Sequence, residues 1–329
     1  MKKNIRKLWK SINKANRILL INHVRMDMDA FWSLCAIYDI LSQIWKNVKA
    51  TNDELPLENY AFTWYNEIID PNLDIKQFNP ELIISFDAAS PDQLGTSYSN
   101  NKEVFDNAEF FVIDHHVTNV WFWKINIIGV NYSSTCELTY EIIHDIKLEK
   151  YITPKIATSL ISWIYTDTNI FYNTNTSKNT YTVAWKLIEL WADFRKPYYE
   201  FYKKKTYDQS KLWWEILANH MKKICDWKVV YAMISKNIFI KTNSNDRQLT
   251  WLISEFFANI EWVEICFICY ELTNNQIKTS LRSIPKHDVS KISQIFWGWW
   301  HKQASWFSSN KSLEEVEKEL IKEIKKELN

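Results

Sequence analysis

The stretch from residue 17 to residue 33, RILLINHVRMDMDAFWS, decides the fold. Its first part, Ile18–Asn22, is a short apolar run of the kind that forms a buried strand. A histidine and two aspartates follow, and from about Asp29 to Ile44 the apolar spacing becomes helical. A strand that passes through an acidic loop into a helix opens an α/β unit. The pattern then repeats. Runs at 81–86 (ELIISF) and 110–113 (FFVI) each end at an aspartate, Asp87 and Asp114, and helical patterns follow at 134–146, 154–165 and 178–191. Strands alternating with helices predict a parallel sheet, and acidic residues just past the strand ends mark an open α/β site.

Beyond residue 195 the chain becomes charged and aromatic, and 196–226 reads as a helical linker. A second block follows, with strands expected at 229–234, 263–271 and 276–282, a helix near 248–259, and a charged amphipathic helix at 312–328. The expected organisation is an N-terminal domain at 1–195, the linker, and a smaller C-terminal α/β domain at 227–329. No repeat or low-complexity tract stands out.

The 329 residues are 47% hydrophobic and 24% charged, with a formal net charge of +1. That is an ordinary globular composition with no broad basic face for nucleic acid. No apolar run approaches the roughly 18 residues needed to span a bilayer. The basic N-terminus lacks the apolar core of a signal peptide, so a cytoplasmic location is expected. The five cysteines show no framework spacing. Cys266 and Cys269 lie in a strand-like run with no second Cys/His pair nearby, which favours buried thiols over a zinc or redox pair. One count is anomalous. Glycine is normally about 7% of a chain, roughly 23 residues here; this chain has 3, together with 18 tryptophans.

Two clusters carry chemistry. His23, Asp27 and Asp29 lie within seven residues and can converge on a divalent cation such as Mn²⁺ or Mg²⁺. A helix cap beside a surface histidine is the plain alternative. Asp114-His115-His116 follows a buried strand, and adjacent histidines point in different directions. One can bind metal while the other meets substrate; a surface turn is again the plain alternative.

Taken in order, His23-x-x-x-Asp27-x-Asp29, Asp87, Asp114-His115-His116 and Tyr165-Thr-Asp167 resemble the DHH phosphoesterase superfamily. Ser280-Leu-Arg282-Ser and His301-Lys-Gln-Ala-Ser resemble its accessory DHHA1 domain. That domain typically closes on a glycine run beside a histidine, whose backbone N–H groups can close on a phosphate. Here those glycine places read Trp297, Gly298, Trp299, Trp300 and Trp306. Trp32 and Trp163 likewise stand where the superfamily has glycine. A UGA codon written as tryptophan but decoded as glycine explains both anomalies together.

The resemblance implies an α/β fold with a parallel-sheet DHH domain, a smaller DHHA1 domain and an active-site cleft between them. It implies two divalent cations, Mn²⁺ or Mg²⁺: one held by His23 and Asp27, the other by Asp29, His115 and Asp167, with Asp87 bridging. His116 would act on the phosphate as acid or anchor, and Asp114 would orient a neighbouring imidazole. Arg282, Gly298 and His301 would bind substrate. Size and closely joined halves most resemble the nanoRNase and 3'-phosphoadenosine-5'-phosphate (pAp) phosphatase branch, so short RNA oligonucleotides or pAp are the expected substrates. A homodimer is compatible with the same resemblance, and no membrane contact is expected. A RecJ-like single-strand exonuclease usually carries an additional OB-type domain not found here. Phosphodiesterases of pApA or cyclic dinucleotides often carry membrane and sensor segments absent from this chain. A catalytically silent nucleotide-binding module is the alternative outside enzymes.

Overall fold

The computed structural model describes residues 1–24, 26–56, 65, 67–246, 249, 252 and 256–328, without the side chains of 299–301. The chain divides into two compact units, Met1–Lys204 and Lys205–Asn329. The segment read as a linker splits between them. Arg195–Tyr198 and the π turn Tyr199–Lys203 belong to the first unit, and the helix Tyr207–Glu215 to the second.

In the first unit, strands β1 (Arg17–Asn22), β2 (Asn47–Thr51), β3 (Leu82–Phe86), β4 (Glu109–Asp114) and β5 (Ile125–Ile128) form one parallel sheet in the order β2-β1-β3-β4-β5. Its central strands read as unbroken apolar runs because both faces are covered; Ile18, Leu19, Leu20 and Ile21 have no exposed surface. The helix Met28–Gln43 packs against the helices Thr135–Asp145 and Pro154–Asp167. Asp27, in an extended conformation, caps the first of these by accepting hydrogen bonds from the backbone N–H groups of Asp29 and Ala30 at 3.0 and 3.1 Å.

The helix Lys2–Lys14 was not among the expected elements. It contains only a few apolar residues among many lysines, but Ile5, Leu8 and Ile12 share one buried stripe. The stripe packs towards β5 and the Thr135–Asp145 helix, and each such side chain contributes about 1.5–3 kcal/mol of burial before ordering costs.

The second unit is built on a mixed sheet of β6 (Met221–Ile224), β7 (Val229–Ile234), β8 (Ile265–Glu271), β9 (Ile277–Ser283), β10 (Trp299–His301) and β11 (Ala304–Ser309). The order is β10-β11-β9-β8-β7-β6, and only β7 and β8 run parallel. One face of β7 and β8 packs against Leu212, Trp213 and Phe239. The other packs against Val289, Ile292 and the stripe Val316, Leu320 and Ile324 of the Leu313–Leu328 helix. Half of the expected helix at 248–259 falls outside the described residues; Phe257–Asn259 form a 3-10 turn.

Two expectations are sharpened here. Residues 296–306 carry no clear strand period in sequence, yet 299–301 and 304–309 pair as a hairpin whose second strand joins β9. Tertiary hydrogen bonding, rather than side-chain alternation, makes them strands. Cys266 and Cys269 lie three apart on β8 and therefore face opposite sides of the sheet, each in a different apolar cluster. They cannot share a metal, and burial pushes both thiols up to about 12.

Candidate metal centre

Strand order builds the site. The chain enters through β1, steps to β2 on one side, and returns past β1 to β3 on the other, so a topological switch point lies between β1 and β3. Parallel register places Asn22 beside Phe86 and Phe86 beside Ile113. The residues that follow, His23, Asp87 and the Asp114–His116 turn, therefore emerge side by side at the carboxyl edge. Asp87 adopts a left-handed conformation (φ 57°) while its N–H donates to the Ile113 carbonyl at 2.9 Å. An aspartate tolerates that region better than most residues, and such backbone strain gathers at functional sites.

The carboxylate of Asp87 lies between the other groups. Its Oδ2 is 3.6 Å from His23 Nε2; its Oδ1 is 3.8 Å from His115 Nε2 and 3.4 Å from His116 Nδ1. Three sets have donor atoms within 4.8 Å of one another: His23, Asp27 and Asp87; Asp29, His115 and Asp167; and Asp87, His115 and His116. All six residues anticipated as ligands are thus gathered in one place, and Asp87 joins sets on both sides. His116, anticipated as a non-ligand, also meets the distance criterion of a donor. Its Nδ1 lies 2.8 Å from Asp114 Oδ1, which also accepts from the backbone N–H groups of His115 and His116. The Asp114 carboxylate is completely buried and is further held by Asn119 Nδ2 at 2.7 Å. His23 Nδ1 lies 2.9 Å from the Val24 carbonyl, the contact that leaves Nε2 for a cation.

The electrostatics suit a cation. Asp29 is buried, and burial together with the charges of Asp87, Asp167 and Asp27 raises its carboxyl well above the usual range. Burial and the charges of Asp27 and Asp87 raise Asp167 in the same way. Burial disfavours a charged Asp87, yet His116, His23 and His115 hold it well below the usual range. Burial opposes protonation of His116 as well, but Asp87 and Asp114 bring it up to about 9. Like charges about 4 Å apart near a protein surface repel by roughly 4 kcal/mol. Positive charge on His23 and His116, both of whose imidazoles are raised above their ordinary value, offsets part of that repulsion. Divalent ions do so more fully, and a His/Asp donor set fits borderline-to-hard cations such as Mn²⁺.

Sequence reasoning missed the side of the site formed by residues 133–137. Thr135 and Cys136 donate their backbone N–H groups to Asp29 Oδ2 and Oδ1 at 2.7 and 2.8 Å, and Thr135 Oγ1 donates to Asp87 Oδ1 at 2.8 Å. The only local sign is a helix start, Ser134-x-x-Glu137. Among the residues expected to bind substrate, Arg282 on β9 is half-buried, donates to the Leu281 carbonyl at 2.8 Å, and has no ion-pair partner among the described residues. Gly298 is an obligatory glycine, since a Cβ there would meet the Trp306 carbonyl oxygen at 2.1 Å. His301 lies on β10, and its side chain is outside the described part of the structure.

Residues 17–166, most of the first unit, match the DHH family, N-terminal domain. Among named relatives, the bifunctional oligoribonuclease and PAP phosphatase NrnA of Mycoplasma genitalium is 25% identical over 323 residues, 95% of this chain and 96% of that protein. The protein of the same name from Bacillus subtilis is 25% identical over 185 residues, which are 55% of this chain and 56% of that one. A solved exopolyphosphatase-related protein from Bacteroides fragilis shares the fold, with a TM-score of 0.89 over 99% of this chain and 96% of that chain, at 21% identity. Among the described residues no helix is long and apolar enough to cross a membrane.

Proposed function

We propose that the chain is a metal-dependent phosphoesterase that hydrolyses short oligoribonucleotides and releases phosphate from pAp. The observation that carries this is Asp87, whose two oxygens face separate His/Asp sets at the switch point of the sheet. His23 and Asp27 would hold one cation; Asp29, His115 and Asp167 the other, with Asp87 shared. Two Mn²⁺ ions, or Mg²⁺ in their place, would supply Lewis-acid charge to the phosphoryl group and acidify water. His116, whose Nδ1 lies 2.8 Å from the buried Asp114 carboxylate, would hold or deliver a proton at the phosphate. In the second unit, Arg282 offers a planar fork to a further phosphate, beside the loop of Gly298 and His301.

The likeness to two proteins named for oligoribonuclease and PAP phosphatase activity supports this substrate class. The test is hydrolysis of RNA of about two to five nucleotides and of pAp by the full chain, expressed as written and with glycine at the tryptophans considered below. Activity should vanish on chelation and return with Mn²⁺ better than with Zn²⁺. Degradation of long single strands alone would replace this assignment with a RecJ-like exonuclease. Tight binding without turnover would mean a silent binding module. Sedimentation of the full chain tests the homodimer.

A further inference from the structure

We propose that Thr135 is a positioning residue that fixes two of the metal-binding carboxylates relative to each other. The proposal rests on the metal-centre assignment above. Asp29 lies in the first turn of the helix that follows β1 and Asp87 directly follows β3, and neither is locked to the other by chain connectivity. One short stretch touches both. Both oxygens of Asp29 accept backbone N–H groups, from Thr135 at 2.7 Å and Cys136 at 2.8 Å, and the Thr135 hydroxyl donates to Asp87 at 2.8 Å. The stretch itself is anchored from behind. Ser134 caps the helix by accepting from the Glu137 N–H at 3.0 Å. The buried Glu137 carboxylate accepts from the Ser133 N–H at 2.9 Å, Asn179 Nδ2 at 2.8 Å and Thr180 Oγ1 at 3.0 Å. Ser133, Thr135 and Glu137 are all completely buried, so water does not compete for these bonds. Thr135 thereby sets the angle at which Asp87 presents its oxygens to the two donor sets, the task of an outer partner in a metal site.

The test compares full-length wild type with Thr135→Val, which keeps the branched shape but loses the hydroxyl, and Thr135→Ser, which keeps the donor. Mn²⁺ binding is read by calorimetry and by the resonance of the free ion, and folding by circular dichroism. Thr135→Val should bind Mn²⁺ about tenfold to a hundredfold more weakly, while Thr135→Ser stays close to wild type. Equal affinity of Val and wild type overturns the positioning role and leaves the metal centre standing, as does a loss shared equally by Val and Ser. A wild type that binds no divalent ion overturns the metal centre itself, and this proposal with it.

A second observation stands apart from the site. We infer that Trp45, Trp121, Trp191, Trp227, Trp262 and Trp297 are glycines in the protein as its cell makes it. All six have φ between 54° and 72°, and they make up six of the 16 non-glycine residues with positive φ among the described residues. Three end helices in the same way. Trp45, Trp191 and Trp297 each stand one residue past the helix cap and donate to Ser42, Ile188 and Gln294; the next residues donate to Leu41, Leu187 and Ser293. That is the Schellman motif, whose left-handed position is ordinarily glycine. Trp227 follows Asp226 in the turn between β6 and β7, where both central residues have positive φ and Asp-Gly is the favoured pair. Trp262 holds the third position of a turn closed by the Val263 N–H and the Ile260 carbonyl, a glycine place when φ is positive. The indoles are half to nine-tenths exposed, so packing does not explain them. Lys147 ends its helix in the same conformation, so one such residue is tolerable; recurrence in a single bulky type is what requires a cause.

The cause inferred is a UGA codon decoded as glycine and written as tryptophan. The codons at these six positions, with the peptide masses of the protein from its own source, test it. UGA codons and glycine masses are expected. UGG, or tryptophan masses, at these positions overturns the inference. Trp32, Trp163 and Trp306 have no positive φ in the structure, so glycine at those sites rests on the family resemblance alone.

Discussion

Replacing Trp45, Trp121 and Trp191 together by glycine should stabilise the first unit, which contains all three. A left-handed backbone costs a residue with a Cβ about 1–2 kcal/mol. Glycine removes that cost but returns about 0.5–1 kcal/mol through its freer unfolded chain. The side chains are 93%, 62% and 81% exposed, so little packing is lost on truncation. A net gain of about 0.5–1 kcal/mol per site makes about 1.5–3 kcal/mol for three. For a unit of this size 1 kcal/mol moves the midpoint by about 2–4 °C, so the expected rise is about 3–12 °C, followed by calorimetry of the full chain. The decisive control is the same triple change to alanine. Alanine removes the indoles but keeps the Cβ, so it should recover little of the gain. If alanine raises the midpoint as much as glycine does, exposed indoles rather than backbone conformation were the burden, and the reasoning fails.

Asp87→Ala should abolish Mn²⁺-dependent hydrolysis and weaken both ion sites, whereas His23→Ala should weaken one; equal residual activity at saturating Mn²⁺ would argue against a shared ligand. Arg282→Ala should lower kcat/KM on dinucleotides and pAp about tenfold to a hundredfold, the equivalent of about 1.5–3 kcal/mol for a charge-assisted contact. Bis-p-nitrophenyl phosphate, which has no second phosphate to grip, should be hydrolysed unchanged; an equal fall on both substrates would place Arg282 at the reacting phosphate instead. Glu264 accepts from His287 Nε2 at 2.6 Å and lies 3.1 Å from both Lys228 Nζ and Lys286 Nζ. The His287 bond, then the Lys228 bond, hold it down at about 2 against an ordinary 4.5. Its contribution is therefore present above about 4.5 and lost as pH falls towards 2. Glu264→Gln should lower the melting midpoint at neutral pH, with the difference closing over that window; a pH-independent difference would mean that packing, not charge, is responsible.

The residues of the candidate metal centre were legible as a cluster because their pattern is local. Ile18–Asn22 is apolar enough to be a buried strand, and His23, Asp27 and Asp29 follow within seven residues; 110–113 leads as directly into Asp114-His115-His116. The helix Lys2–Lys14 was hidden because its buried stripe is sparse among lysines. The 299–309 hairpin was hidden because tryptophans fall on both parities of the strand. Other features depend on which elements become neighbours. Only the order β2-β1-β3-β4-β5 puts Asp87 between His23 and His115. Only folding brings the Thr135 and Cys136 amides onto Asp29, 106 and 107 residues earlier in the chain. The tryptophan anomaly divides along the same line. Composition exposed the deficit of glycine, while φ, which depends on how each cap and turn closes, showed where a Cβ is a liability. Residue type and short spacing are written along the chain, whereas strand order, hydrogen bonds between distant segments and backbone handedness arise only when apolar surfaces choose their partners.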